Sequence, residues 1–309
     1  MPRPGTFDEF VGQQRAVDQL KLALESAVMR DDVVDHILLT GPAGTGKTTI
    51  ANIIAAGLGT RCVETIANVM KQPADAITSL VNLRRGDVLF VDEVHALPVP
   101  VQEYLYTAME DYKINTIAGR QRRAATIELH KFILIGATTN EGRLTGPMRS
   151  RFGIVCNLEP YNQCDLEEIV QRAATSMGMT IEEDARATIA DRCRATPRIA
   201  GRQLRRVRDS ATVLGHPTHI DLASCEHAYH VLGITKRGLT DPDRKVLQVL
   251  AGAEHATGLD ALAGLVHLDR DVVEQTVEPH LMRLGLIART PRGRKITAAG
   301  RTIVAELES

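Results

Sequence analysis

The sequence predicts an α/β fold: a parallel-sheet domain, then a helical segment, then a C-terminal winged helix. Three observations carry this. Short apolar runs alternate with helical periodicity through the first half; from about Tyr161 the pattern is helical; and Leu281–Arg301 reads as helix end, strand, tight turn and strand. With 309 residues, two or three cores are expected. The expected ranges are 1–160, 161–236 and 237–309.

The first strand is "HILLT" (His36–Thr40), an apolar run followed by a Gly-rich turn and the helical "KTTIANIIAAGL". The second is "DVLFVDEVH" (Asp87–His95), ending in acids, and the third "KFILIGATTN" (Lys131–Asn140), ending in small polar residues. Strands alternating with helices imply a parallel sheet covered on both faces. Ligands of such sheets bind beyond the carboxyl ends of the strands, where all three runs turn polar. The helical segment includes "CDLEEIVQRAATSMG", "EEDARATIADRCRAT" and a helix after Pro197. "GITKRGLTDPD" (Gly233–Asp243) is rich in turn formers and marks the next boundary.

Composition excludes some classes and leaves others open. Hydrophobic residues make up 44% of the chain, yet no apolar run approaches a membrane span. The N-terminus has no signal-peptide h-region, so a cytoplasmic protein is expected. Five scattered cysteines form no C-x-x-C pair, which argues for reduced thiols and against a zinc site. Net charge is −1, from 37 basic and 38 acidic residues, so any polyanion partner must be met by local charge. "RTPRGRK" supplies it: Arg289, Arg292, Arg294 and Lys295 crowd one turn, and Leu281–Arg301 contains no acid. A projecting wing of that charge suits a DNA backbone, and no base-reading pattern is visible.

"GPAGTGKT" (Gly41–Thr48) fits the phosphate-loop pattern between a strand and a helix. Gly41, Gly44 and Gly46 let backbone N–H groups close on phosphate oxygens. Lys47 adds charge for the β- and γ-phosphates, Thr48 can ligate Mg²⁺, and the helix N-terminus favours an anion. Asp92 can hold Mg²⁺ through water, and Glu93 can orient and deprotonate an attacking water. Thr138 and Thr139 end the third strand, where a hydroxyl could touch the γ-phosphate. Arg149 and Arg151 of "MRSRFG" would ordinarily be surface ion pairs. In a multimeric ATPase, such an arginine can instead serve the neighbour's γ-phosphate. Arg198, in a helix's first turn, could reach nucleotide from a lid.

Taken in order, "FDEFVGQ", "GPAGTGKTTIANIIA", "DVLFVDEVH", "YTAMEDYKI", "LIGATTNEGRLTGPMRSRFG", "TPRIAGRQLRRVRD" and "RTPRGR" resemble the RuvB family over essentially the whole chain. These are AAA+ motors that drive branch migration of Holliday junctions. The resemblance implies an AAA+ core, a helical lid and a winged helix, working as a ring, expected to be a hexamer, on nucleoid DNA with ATP and Mg²⁺. It implies phosphate and Mg²⁺ binding by Gly46, Lys47, Thr48 and Thr49. Arg3, Tyr161 and the segment Glu110, Asp111, Tyr112 would lie near nucleotide. Thr139 would be sensor 1, Arg151 the trans-acting finger and Arg198 sensor 2, with Arg289 and Arg294 on DNA and Arg292 between them. Lys113–Leu129 would be the hairpin that engages a RuvA-like protein. Departures are a short N-terminus, Ala43 and Thr45 in the loop, Asn140 after "GATT", and a short basic hairpin with "GRQRR" at Gly119–Arg123. Two other functions share parts of this pattern: a clamp-loader-like ATPase, and an ATP-switched regulator reading an operator through its winged helix.

Overall fold

A computed structural model describes residues 3–118 and 123–308. Two compact units emerge: residues 1–176 with 196–198, and residues 177–195 with 199–309.

The first unit runs α1 (Gln14–Arg30), β1 (Ile37–Thr40), α2 (Lys47–Gly57), β2 (Cys62–Ile66), α3 (Pro73–Val81), β3 (Val88–Asp92), α4 (Val99–Asp111), β4 (Lys113–Ala118), β5 (Arg123–Glu128), β6 (Ile133–Thr138), α5 (Gly146–Ser150), β7 (Ile154–Asn157) and α6 (Gln163–Ser176). β2, β3, β6, β1 and β7 form, in that order, an all-parallel sheet. Strands β1, β3 and β6 are apolar on both faces because both are covered. Leu38, Leu89, Val91 and Leu134 pack with residues of α3 and α4, while Ile37, Leu39, Phe90 and Ile135 pack with residues of α1 and α2. The register brings the carboxyl ends level: Thr40 pairs with Thr138 and with Asn157, and Val91 with Gly136. Three segments of distant sequence therefore deliver their polar ends to one edge.

β4 and β5 form a separate antiparallel hairpin, Lys113 opposite Glu128. Residues 119–122 of the expected partner-binding stretch lie outside the described residues.

The second unit adds β8 (Thr180–Ile181), α7 (Glu183–Arg192), α8 (Pro197–Val213), β9 (His219–Ile220), α9 (Leu222–Leu232), α10 (Asp241–Gly252) and α11 (Leu259–Val266). Then comes α12 (Arg270–Val272), continuing through a π-turn over Val273–Val277 into α13 (Glu278–Arg283), succeeded by β10 (Ile287–Thr290), β11 (Gly293–Ile296) and α14 (Ala298–Glu308). β10 and β11 are the expected wing, Arg289 directly opposite Arg294. The turn-rich boundary falls inside the second unit. Thr240 caps α10 reciprocally with Asp243, and the same Asp243, fully buried, pairs with Arg194. Gly238 holds φ +70° where a Cβ would stand 2.3 Å from the Arg192 carbonyl.

Candidate functional site

The loop between β1 and α2 has the shape its glycines allow. Gly41 (φ +131°) passes so close to the Leu158 carbonyl that a Cβ would meet it at 2.1 Å. Gly46 (φ +108°) lies under the Phe10 ring, and Gly44 (φ +84°) under the Arg198 side chain. A loop with three glycines in the left-handed region turns its N–H groups toward a common centre, a cradle that fits phosphate. Thr45 is wholly buried and donates to the Pro42 carbonyl at 2.9 Å, closing the loop on itself.

Lys47 is 7% exposed, and its Nζ donates to the carbonyls of Gly41 (2.7 Å) and Pro42 (2.9 Å). Burial pulls its pKa below the ordinary lysine value; the nearby Glu93 and Asp92 oppose that, and Arg198 adds to it. Thr48 and Thr49 lie next, on the first turn of α2. Tyr161 is buried beside the loop, its hydroxyl donating to the Thr45 carbonyl at 3.3 Å, and burial raises its pKa. Arg3 lies exposed in the irregular N-terminal stretch.

The acids end β3 as expected. Asp92 Oδ1 accepts from the Glu93 N–H at 3.0 Å. Glu93 is left-handed (φ 51°), uncommon for a residue with a Cβ, and this turns its side chain off the strand line. Glu93 Oε2 accepts from the Thr139 hydroxyl (3.0 Å) and N–H (3.4 Å). Thr139 therefore touches the acid expected to act as base. His95, to which the sequence assigned no role, completes the set. Its Nδ1 stands 2.8 Å from Thr138 Oγ1 and 3.2 Å from Glu93 Oε2. The histidine in "DEVH" was visible in the sequence; the threonine it meets, 43 residues away, was not.

Arg198 comes to the loop, as its place in the first turn of α8 suggested. The same chain does not bring Glu110, Asp111, Tyr112 and Arg151 there. Arg151 precedes β7, beyond the amino ends of the strands, and Glu110 pairs with it at 2.6 Å. Tyr112 packs its ring 6.1 Å from His36 and 5.8 Å from Phe132, the residues just before β1 and β6. A four-residue strand at roughly 3.3 Å per residue separates these groups from the loop by about 13 Å. Glu110, Asp111 and Tyr112 therefore lie away from this chain's own loop: a parallel sheet gathers the segments entering its strands at one edge and the segments leaving them at the other.

The arginines of the wing differ in exposure. Arg294 is 8% exposed, and its Nε and Nη2 donate to Glu278 Oε2 at 3.0 and 2.7 Å. It is held inside the domain instead of facing a ligand. Arg289 is half exposed, its Nε 3.0 Å from Glu278 Oε1 and off the line of a hydrogen bond. Arg292 and Lys295 are exposed. The wing has no acid of its own, but α13 supplies one from behind.

Three family descriptions match the chain: the Holliday junction DNA helicase RuvB P-loop domain over residues 2–158, the RuvB AAA lid domain over 161–235, and the RuvB C-terminal winged helix domain over 236–305. A Corynebacterium diphtheriae protein described as Holliday junction branch migration complex subunit RuvB is 45% identical over 300 residues, 96% of this chain and 83% of the relative. A Thermotoga maritima protein of the same description is 44% identical over 302 residues, 96% of this chain and 89% of the relative. The solved structure of the Thermotoga maritima RuvB Holliday junction branch migration motor superposes with a TM-score of 0.88 at 41% identity, covering 98% of both chains.

Proposed function

The chain belongs to the RuvB family, and from that premise we propose that it is an ATP-driven motor that moves the branch point of Holliday junctions in recombination and repair. Its parts would be a nucleotide-binding core over 1–160, a lid over 161–236 and a DNA-binding winged helix over 237–309. It would act in the bacterial cytoplasm, on nucleoid DNA. Among the described residues no helix is long and apolar enough to cross a membrane.

The observation that carries the mechanism is the division of the site between the two edges of the sheet. At the carboxyl edge, Gly41, Gly44, Gly46 and Lys47 hold the triphosphate, with Thr48, Thr49 and Tyr161 beside it and Arg3 on the N-terminal stretch. Lys47 exchanges the loop's own carbonyls for phosphate oxygens. Thr48 and, through water, Asp92 would hold Mg²⁺, which when bound neutralises charge on the phosphates. Glu93 takes the proton of the attacking water, Thr139 holds Glu93 in place, and Arg198 senses the γ-phosphate from above Gly44. Arg151, with Glu110, Asp111 and Tyr112, stands at the amino edge and so serves the loop of the next subunit. Such an arrangement requires a ring, which we take to be a hexamer. Differential contacts of Arg198 and Arg151 with ATP and ADP states drive the motion. The β4–β5 hairpin is the surface offered to a RuvA-type partner.

No base-reading pattern is visible in the winged helix, which disfavours an operator-reading regulator. The clamp-loader reading does not call for the winged helix. The test mixes Arg151→Ala with Lys47→Ala protein. Each alone is inactive; mixed rings pair an intact loop with an intact finger, so junction-stimulated ATPase returns. A protein that stays monomeric with nucleotide and junction DNA, with no recovery on mixing, overturns the reading. Branch migration with and without a RuvA-type partner tests the hairpin.

A further inference from the structure

The helix α12–α13 faces the wing with a carboxylate between arginines. Glu274, half buried, lies 3.6 Å from Arg289 Nη2 and 3.9 Å from Arg270 Nε. Arg270 also reaches Asp260, on α11, at 3.4 Å. These side chains wall a depression of about 380 Å³ together with Thr290, Pro291 and Arg292 of the wing and Gly258 before α11. Arg270 and Arg289 keep 57% and 54% of their side-chain surface exposed. Arginines from the helix and from the wing thus line one open hollow, and Glu274 is the acid at its wall. Beside it the Arg294–Glu278 pair is nearly closed to solvent, with 9% and 4% of side-chain surface exposed.

Such a hollow matches one backbone phosphate: an anion with several acceptor oxygens, met by fork-shaped donors. We propose that it seats a phosphate of duplex DNA, with Arg270 as a contact outside the wing and Glu274 as the internal counter-ion that the phosphate displaces. The inference rests on the DNA-binding reading of this domain and adds two residues to it. Glu274 occupies the arginines in the free protein, so DNA must compete with it. Its removal therefore tightens binding, the opposite of what the loss of a contact would do.

The experiment is fluorescence anisotropy of labelled junction and duplex DNA on the full-length protein across a salt series. Arg289→Ala and Arg292→Ala report on the parent reading; Arg270→Ala, Arg270→Lys and Glu274→Gln report on the seat. All are exposed or half-exposed sites, and thermal melts check that each variant is folded. Arg270→Ala is expected to lower the log–log salt slope by about 0.9, the share of one phosphate contact, with Arg270→Lys restoring it. Glu274→Gln is expected to tighten binding about two- to five-fold, the range of a partly exposed ion pair. If the wing variants weaken binding while Arg270→Ala keeps the slope, or Glu274→Gln leaves affinity unchanged or lower, the seat is wrong and the wing reading stands. If none of the variants alters binding, the domain does not hold DNA this way and both readings fall.

Discussion

Replacing Arg294 with Ala removes one half of an ion pair sealed inside the winged-helix domain. Glu278 is 3% exposed and Arg294 8%, so the carboxylate left behind would have no water to turn to. Its other neighbour, Arg289, contributes an ion pair off hydrogen-bond alignment and is half exposed. Removing one partner of a buried pair costs about 3–5 kcal/mol. At roughly 3–6 °C per kcal/mol for a unit of this size, the melting midpoint falls by about 10–30 °C. Far-UV circular dichroism of the full-length chain through a thermal ramp reads this directly. Removing both charges, as Glu278→Gln with Arg294→Met, should recover most of the loss, because no uncompensated charge remains. The reasoning is refuted if Arg294→Ala melts with the wild type while DNA binding collapses. In that case the guanidinium acts on DNA, not on the fold.

Three further outcomes are expected. Lys47→Ala loses ATP binding in calorimetry, whereas Glu93→Gln binds normally but turns over about 10²–10⁴-fold more slowly, the share of a general base; unchanged turnover would remove Glu93 from the chemistry. Gly41→Ala drives a Cβ to 2.1 Å from the Leu158 carbonyl at φ +131°, so ADP affinity falls although the sheet still forms; wild-type affinity would mean the loop does not need this conformation. His280 is pushed down to about 3 by burial, with Arg194 and Arg283 adding to the shift. The folded pKa lies below the unfolded one, so its contribution is complete above about 6.5 and is lost as pH falls toward 3, at up to about 1.4 kcal/mol per pH unit. Urea midpoints between pH 7.5 and 5 check this, and a His280→Gln variant with the same pH slope would exclude His280 as the source.

Much of the fold is local enough to be read from residue order. The runs "ILL", "VLFV" and "ILI" that open β1, β3 and β6 are apolar at every position because each is covered on two faces. β2 and β7 escaped because they are only partly buried, and "CVETI" and "IVCN" carry polar residues. The closing helix α14 was hidden behind small residues in "ITAAGR".

What the sequence alone determined is chemistry that lives within a few residues: a phosphate-holding loop, acids ending a strand, a basic turn. Glycine conformation, side-chain alternation and strand-to-helix succession are short-range properties, so residue order suffices for them. The tertiary structure decided which charges are available and on which side they act. Glu278, 16 residues before Arg294, ties that arginine into a buried pair. Thr139, 46 residues after Glu93, donates to its carboxylate. The parallel sheet sends Arg151 to the edge away from its own loop. Each depends on closing a long stretch of chain, and pairing at that range is set by how the elements pack, which no local pattern encodes.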